Sequence, residues 1–287
     1  MPNKHLTNAK KNKNDEFFTQ LPDIENELRH YQNHFKNKVV FCNCDDPSFS
    51  NFWKYFHLNF QKLKLKKLIS THYSKEGSSY KMEYSGGNDS DRDVGIKTPL
   101  IENGDFRSQE CIEFLKKSDI VVTNPPFSLF REYVAQLMKY NKKFIIIGSL
   151  NAITYKGIFP LFKNNKLWLG HNHVKEFIQK DKTLKKFGNV IWFTNCSITK
   201  RSEKIQLTEK YNPEKYPKYD NYDAINVDKV KEIPKDYDGV MGVPISFLEK
   251  YSPTQFKIIN YKKGDDNKDL CFGGIYPYSR ILIRKNV

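Results

Sequence analysis

The chain has 287 residues, with 48 Lys and Arg against 33 Asp and Glu, a formal net charge of +15. That length holds one large domain or two smaller ones, and the basic excess favours a polyanionic partner. Five cysteines, an odd number with no Cys-x-x-Cys or Cys/His set at zinc spacing, argue against a disulfide framework and a metal site and for a reducing compartment. No apolar segment is long enough to cross a bilayer and no signal peptide is evident, so a cytoplasmic protein is expected. The 17 Tyr and 21 Phe among the lysines suit base stacking beside phosphate contacts, although a Lys/Asn-rich composition inherited from an AT-rich genome would look similar.

Residues 1–14 carry four lysines and no acidic residue, which predicts a flexible basic arm. Ile24, Leu28, Tyr31 and Phe35 then recur at helical spacing. Lys38 to Cys44 reads as the first strand, Asp45-Asp46-Pro47 as a turn, and Ser50 as the N-cap of a helix bearing Phe52, Trp53, Tyr55 and Phe56. Leu68 to Thr71 is the next strand. The Gly/Ser/Asp-rich stretch from about 74 to 98 holds a hairpin, and Cys111 to Leu115 a short helix. Further strands fall at 119–123, 144–148, 166–169 and 190–194, with a helix from Ser128 to about Tyr140. This alternation predicts a doubly wound α/β sheet, in which ligands sit at the carboxyl ends of the strands. After about residue 200 the texture turns Tyr/Pro/Asp/Lys-rich, with turn-and-strand pieces at 239–244 and over the last ten residues. The expected division is the arm (1–14), an α/β domain (15–200) and a C-terminal region (201–287).

The run Asp119-Ile120-Val121-Val122-Thr123-Asn124-Pro125-Pro126-Phe127 carries the chemistry. A buried strand stops at two prolines, neither of which donates a backbone hydrogen bond. The stiff loop presents an amide, proline carbonyls and an aromatic face. Those groups fit an exocyclic amino group on a flat ring: Asn124 and the Pro125 carbonyl accept its two hydrogens, and Phe127 stacks on the ring. With both hydrogens donated, the nitrogen lone pair is freer to attack a methyl group.

Asn-Pro-Pro-Phe at a strand end resembles the motif of amino-methyltransferases that use S-adenosylmethionine. Together with Asp15 to Gln20, Phe41 to Pro47, Phe187 to Asn195, and Ile233-Pro234 through Gly239 to Pro244, the chain is most similar to the EcoRI modification methylase family, almost end to end. The resemblance implies a class I, Rossmann-like methyltransferase acting on adenine N6 in double-stranded DNA, with the base flipped out of the stack. It implies catalytic roles for Asn124, Pro125, Pro126 and Phe127. It places the cofactor against Phe17, Phe18, Thr19, Cys44, Asp45, Asp46, Pro47, Asp105, Phe106 and Asn124. The turn after the first strand lacks the usual glycines, and the second strand ends at Thr71-His72-Tyr73 without a carboxylate, which leaves the ribose contact unassigned. A monomer is favoured, with a cognate restriction endonuclease as a potential partner in the same system. Two other readings stay open: the same chemistry on RNA or protein glutamine, and a DNA-binding protein that has lost its cofactor.

Overall fold

A computed structural model describes residues 18–75, 78–91, 94–179, 183–263 and 269–286. The predicted basic arm and Phe17 lie outside the described residues. In chain order the elements are β1 (Phe18–Thr19), α1 (Leu21–Leu28), α2 (Gln32–Phe35), β2 (Val39–Cys42), α3 (Asn51–Leu58), α4 (Phe60–Leu63), β3 (Lys67–His72), β4 (Tyr80–Tyr84) and β5 (Ile96–Pro99). There follow α5 (Gln109–Lys117), β6 (Ile120–Thr123), α6 (Phe130–Lys139), β7 (Lys143–Ser149), α7 (Phe159–Lys163), β8 (Trp168–His173), β9 (Glu176–Ile178), β10 (Leu184–Lys186) and β11 (Val190–Thr194). The last strands are β12 (Ile225–Asn226), β13 (Met241–Pro244), β14 (Phe256–Lys262) and β15 (Arg280–Lys285). The chain forms two compact units, one of residues 1–152 and 170–196, the other of 153–169 and 197–287.

The first unit is built on an eight-stranded sheet of order β5-β4-β3-β2-β6-β7-β11-β8. Its centre is parallel: β2 pairs with β3 and β6, and β6 with β7. Val-Val-Phe-Cys and Ile-Val-Val-Thr are almost wholly buried, as parallel strands covered on both faces must be. The flanks depart from a purely parallel sheet. The predicted 74–98 hairpin adds β4 and β5 antiparallel to β3, and β11 runs antiparallel to β7. Ser50 caps α3 as expected, its hydroxyl accepting from the Phe52 N–H at 3.1 Å.

Three predicted elements are shorter than their patterns. The 21–35 helical pattern is interrupted by a tight turn at Arg29–Tyr31, yet Ile24, Leu28, Tyr31 and Phe35 all stay buried. The helix expected from Ser128 starts at Phe130, because a turn closed by the Leu129 N–H on the Pro126 carbonyl (3.0 Å) precedes it. The strand expected at 166 starts at Trp168, because the Lys166 N–H is committed to the Leu161 carbonyl at 2.8 Å.

Glu27 ties α1 to β8. Its buried carboxylate accepts from the Tyr31 hydroxyl (2.8 Å) and from the backbone N–H groups of His171 (2.9 Å) and Asn172 (2.8 Å). Burial raises its pKa, against those hydrogen bonds. Gly170 lies so close that a Cβ there would stand 2.2 Å from Glu27 Oε1. A small three-stranded sheet, β1-β9-β10, completes the unit.

The second unit holds a four-stranded sheet of order β12-β13-β15-β14. Tyr219, Ala224, Leu270 and Leu282 form part of its core. Phe159 of α7 meets Tyr261 of β14 at 5.3 Å between ring centroids. Among the described residues no helix is long and apolar enough to cross a membrane.

Candidate active site

The site grows from the carboxyl ends of two neighbouring strands, β2 and β6. After β2 the chain must turn sharply, and it does so at Cys44, which adopts a left-handed φ of +64°. A non-glycine residue there is uncommon, so this turn is made without the glycine that the sequence lacks. The neighbours hold it in place. The Ser70 hydroxyl donates to the Cys42 and Asp45 carbonyls, each at 2.8 Å, and the Tyr133 hydroxyl donates to the Asn43 side-chain carbonyl.

The two aspartates of the turn separate. Asp45 is turned inward, where Thr123 Oγ1 donates to its Oδ2 at 2.7 Å and also to the Asn43 carbonyl. The Ser50 hydroxyl and the Asn124 backbone N–H also bond to it. Burial pushes its pKa up to about 7 against those bonds, and the Asp46 charge adds to the rise. Asp46 is half-buried on the other side. It accepts from the Ser48 N–H (2.9 Å) and the Tyr80 hydroxyl (2.5 Å), and its Oδ2 lies 3.3 Å from His72 Nδ1. Burial and the Asp46 hydrogen bond push the Tyr80 pKa up to about 12. The Asp46 carboxylate thus stands beside the end of β3.

The loop ahead of α5 approaches the same region. Gly104 has a φ of +76°, and a Cβ there would lie 2.2 Å from the His72 carbonyl oxygen, so only glycine fits. Asp105 is gripped by Arg107 through Nε–Oδ1 (2.8 Å) and Nη2–Oδ2 (2.7 Å). Burial works to raise the Asp105 pKa, but Arg107 holds it below the ordinary value. Phe106 is buried edge-on against Tyr133 at 5.0 Å. The Cys44 thiol, its pKa raised by burial and the Asp45 charge, also senses Asp105 and Arg107. Tyr133 and Cys44 therefore connect the two predicted cofactor loops.

At the end of β6, Asn124 and Phe127 are half-buried and Pro125 is buried. Phe127 meets Phe177 of β9 at 6.2 Å and Phe187 at 6.4 Å, both edge to face, and Phe177 meets Phe187 at 5.4 Å. Because β1 pairs with β9, with Thr19 opposite Phe177, the upstream Phe18-Thr19 segment shares a small sheet with the aromatic ring nearest the Asn-Pro-Pro-Phe loop. Asn51 Nδ2 donates to the Thr19 carbonyl at 2.8 Å, linking that segment to the start of α3. Phe18 lies 6.3 Å from the exposed ring of Phe49. Pro47 stands in the turn beside Asp46. Sequence reasoning did not single out Thr123, Tyr133, His72, Tyr80 or Phe177 as site residues. Only Thr123 carried a signal, its position one residue before Asn124.

An acidic turn at one strand end is thus braced to the Asn-Pro-Pro-Phe loop at the next. The family model described as "Adenine-specific methyltransferase EcoRI" matches residues 5–285. The chain is 50% identical to the type II methyltransferase M.EcoRI of Escherichia coli, over 98% of this chain and 96% of that one. It is 42% identical to the type II methyltransferase M.MpnI of Mycoplasma pneumoniae over 89% of this chain and 85% of the relative. A type II methyltransferase of Mycoplasma genitalium is 41% identical over 89% and 86%. No solved structure matches significantly. The chain belongs to the EcoRI family of adenine-specific methyltransferases.

Proposed function

We propose that this site transfers the methyl group of S-adenosylmethionine to N6 of an adenine flipped out of double-stranded DNA, on a class I, Rossmann-like catalytic domain. The observation that carries the reading is the brace between Asp45 and Thr123, which fixes the acidic turn against the Asn124 loop at adjacent strand ends. Cofactor chemistry fits the residues present. Thr19 Oγ1 is buried without a hydrogen-bond partner among the described residues, a costly state that an incoming polar ligand would relieve.

When bound, the cofactor supplies a methyl group on a sulfonium, a good leaving group. Phe18, Thr19, Cys44, Asp45, Asp46, Pro47, Asp105, Phe106 and Asn124 form its surroundings, with Phe17 preceding them in the chain. Within that set Asp46, with His72 and Tyr80, is the group suited to accept from ribose hydroxyls. Asp45 acts through position, holding the Asn124 backbone. Asn124 and the Pro125 carbonyl accept the two adenine amino hydrogens, Pro126 stiffens the loop, and Phe127 stacks on the base. With the cofactor bound, these residues would hold the N6 lone pair toward its methyl carbon; S-adenosylhomocysteine would leave, and the extra N6 proton would pass to water. Positioning and exclusion of water do most of the work.

The catalytic domain is assigned to 15–200 and base recognition to 201–287, in a cytoplasmic monomer that a cognate restriction endonuclease would accompany. The test is transfer of labelled methyl from S-adenosylmethionine to duplex DNA, RNA and protein side by side. N6-methyladenine in digested DNA supports the reading. Label in RNA or in glutamine alone overturns it, and absence of S-adenosylhomocysteine binding by calorimetry would favour a protein that has lost its cofactor.

A further inference from the structure

The second unit exposes three large apolar side chains within four residues, on a backbone held by hydrogen bonds on both sides. Ile275 is 58%, Tyr276 48% and Tyr278 75% exposed, while Pro277 between them is buried. Phe272 and Ile275 exchange backbone hydrogen bonds (3.1 and 2.9 Å) around Gly273 and Gly274, whose φ values of +53° and +76° fit a tight two-residue turn of the mirror-image kind. The near side is pinned to another loop: the Asp220 N–H donates to the Cys271 carbonyl (2.7 Å), the Gly273 N–H to Asp220 Oδ2 (2.9 Å), and the Cys271 N–H to Asn221 Oδ1 (3.1 Å). The far side is pinned by Ser279, whose hydroxyl donates to the Lys263 carbonyl at 2.7 Å, and by Arg280 Nη1, which donates to the Tyr278 carbonyl at 2.7 Å.

Isolated exposed apolar residues are ordinary, but a contiguous set held on an anchored turn marks an interaction surface. The unit as a whole is basic, with 20 Lys and Arg against 13 Asp and Glu, while beside the turn Asp220 is occupied by the Gly273 N–H and Arg280 is paired with Asp228 at 3.3 Å. Tyrosine offers a flat apolar face and a phenol that both donates and accepts, a combination that stacks on bases and reaches base edges. Anchoring the turn before binding lowers the ordering cost of the contact.

We propose that the turn from Phe272 to Tyr278 is the element that reads sequence in duplex DNA, with Ile275, Tyr276 and Tyr278 making the base contacts and lysines of the same unit touching phosphate. This rests on the reading of DNA as substrate. It separates two roles that net charge alone merges: the lysines supply affinity for any duplex, and the turn supplies discrimination.

The test begins with the intact wild-type chain methylating plasmid DNA from a host without the modification. Mapping N6-methyladenine in that plasmid defines the preferred sequence. Binding is then measured by anisotropy for a duplex of that sequence and for a scrambled one. Tyr276→Ser, Tyr278→Ser and Ile275→Ser, singly and together, are expected to lower the ratio of the two affinities by about tenfold or more in combination. The salt dependence of scrambled-duplex binding and the affinity for S-adenosylhomocysteine should stay unchanged. Tyr278→Phe keeps the ring and separates stacking from hydrogen bonding. Ile101→Ser, a change at an isolated exposed residue of the first unit, serves as control and leaves the ratio unchanged. A triple variant that keeps the wild-type ratio overturns the proposal. So does a concentration-dependent wild-type dimer in sedimentation that the triple variant loses, since the turn would then join two copies. A wild-type chain that methylates no DNA removes the underlying reading first, an outcome visible before any variant is made.

Discussion

The Thr123 hydroxyl stands between two acceptors, the Asn43 carbonyl and Asp45 Oδ2, the latter 2.7 Å away. One hydroxyl carries one proton. The two acceptors share it, and the part that reaches Asp45 favours the charged carboxylate. Burial opposes that bond and those from Ser50 and the Asn124 N–H, and it wins, pushing the Asp45 pKa up to about 7.

The pH dependence follows from that raised pKa. Between the ordinary value of 3.8 and about 7, the folded chain holds a proton on Asp45 that the unfolded chain has lost. Stability from this group is therefore full at the acid end and declines as pH rises through that window, levelling off above it. Urea unfolding across pH 4.5 to 8 should show the decline on the order of kcal/mol rather than tenths, and Asp45→Asn should flatten it. A slope unchanged in the variant would show that another group titrates.

Asn124→Ala should lower methylation by about 10²–10³, the usual loss when one organising hydrogen-bond partner is removed from a reacting group. The circular dichroism spectrum and DNA affinity should remain close to wild type. Single-turnover kinetics checks this, and near-wild-type rates would remove Asn124 from the chemistry.

Thr19→Val tests the unpartnered hydroxyl. In the free protein it removes a buried polar atom that has no partner among the described residues, so thermal stability should hold or rise. Affinity for S-adenosylhomocysteine should fall roughly 5- to 30-fold, the equivalent of one good hydrogen bond of about 1–2 kcal/mol. Calorimetry and a melting curve on the same sample give both numbers, and stability falling with affinity unchanged would reverse the assignment.

Phe127→Leu removes stacking worth roughly 1–3 kcal/mol per base and leaves phosphate contacts alone. Turnover and the 2-aminopurine signal of an extruded target base should fall. The log–log salt slope, about −0.9 per phosphate neutralised, should not change. A changed slope would mean that Phe127 alters how the backbone is gripped.

Gly170→Ala probes the lock between α1 and β8. The new methyl would press on Glu27 Oε1 and on Trp192 Cβ, 2.2 and 2.7 Å from its ideal position. Overpacking of this kind destabilises by about 1–3 kcal/mol. Here it also disturbs a buried carboxylate, so a loss at the upper end is expected in denaturant titration.

The strands that end at the candidate site are more legible in the sequence than the elements that surround it. Val39–Cys42, Ile120–Thr123 and Lys143–Ser149 are legible because central parallel strands are continuous apolar runs. Asn124 and the Asp45 turn are legible because prolines end strands. The β9–β10 hairpin is not: Glu176-Phe177-Ile178 and Leu184-Lys185-Lys186 are too short and mixed to show a period, and β9 is a strand because β1 and β10 pair with it. Phe177 was invisible for the same reason. His72 and Tyr80 meet Asp46 only through the sheet register, which puts His72 opposite Tyr80. The strand Phe256–Lys262 is missed because its alternation breaks at Ile258-Ile259-Asn260, where the pairing register with β15 shifts.

The chain crosses between its two units after residues 152, 169 and 196. This has a consequence during synthesis. The helix Phe159–Lys163 leaves the ribosome long before Tyr261, the aromatic partner of Phe159, has been made. At about 5–20 residues per second the wait is roughly 5 to 20 s. Through that interval Phe159 and Phe162, buried in the finished protein, lack the later part of their own unit. A stop codon near residue 200 would make the wait permanent.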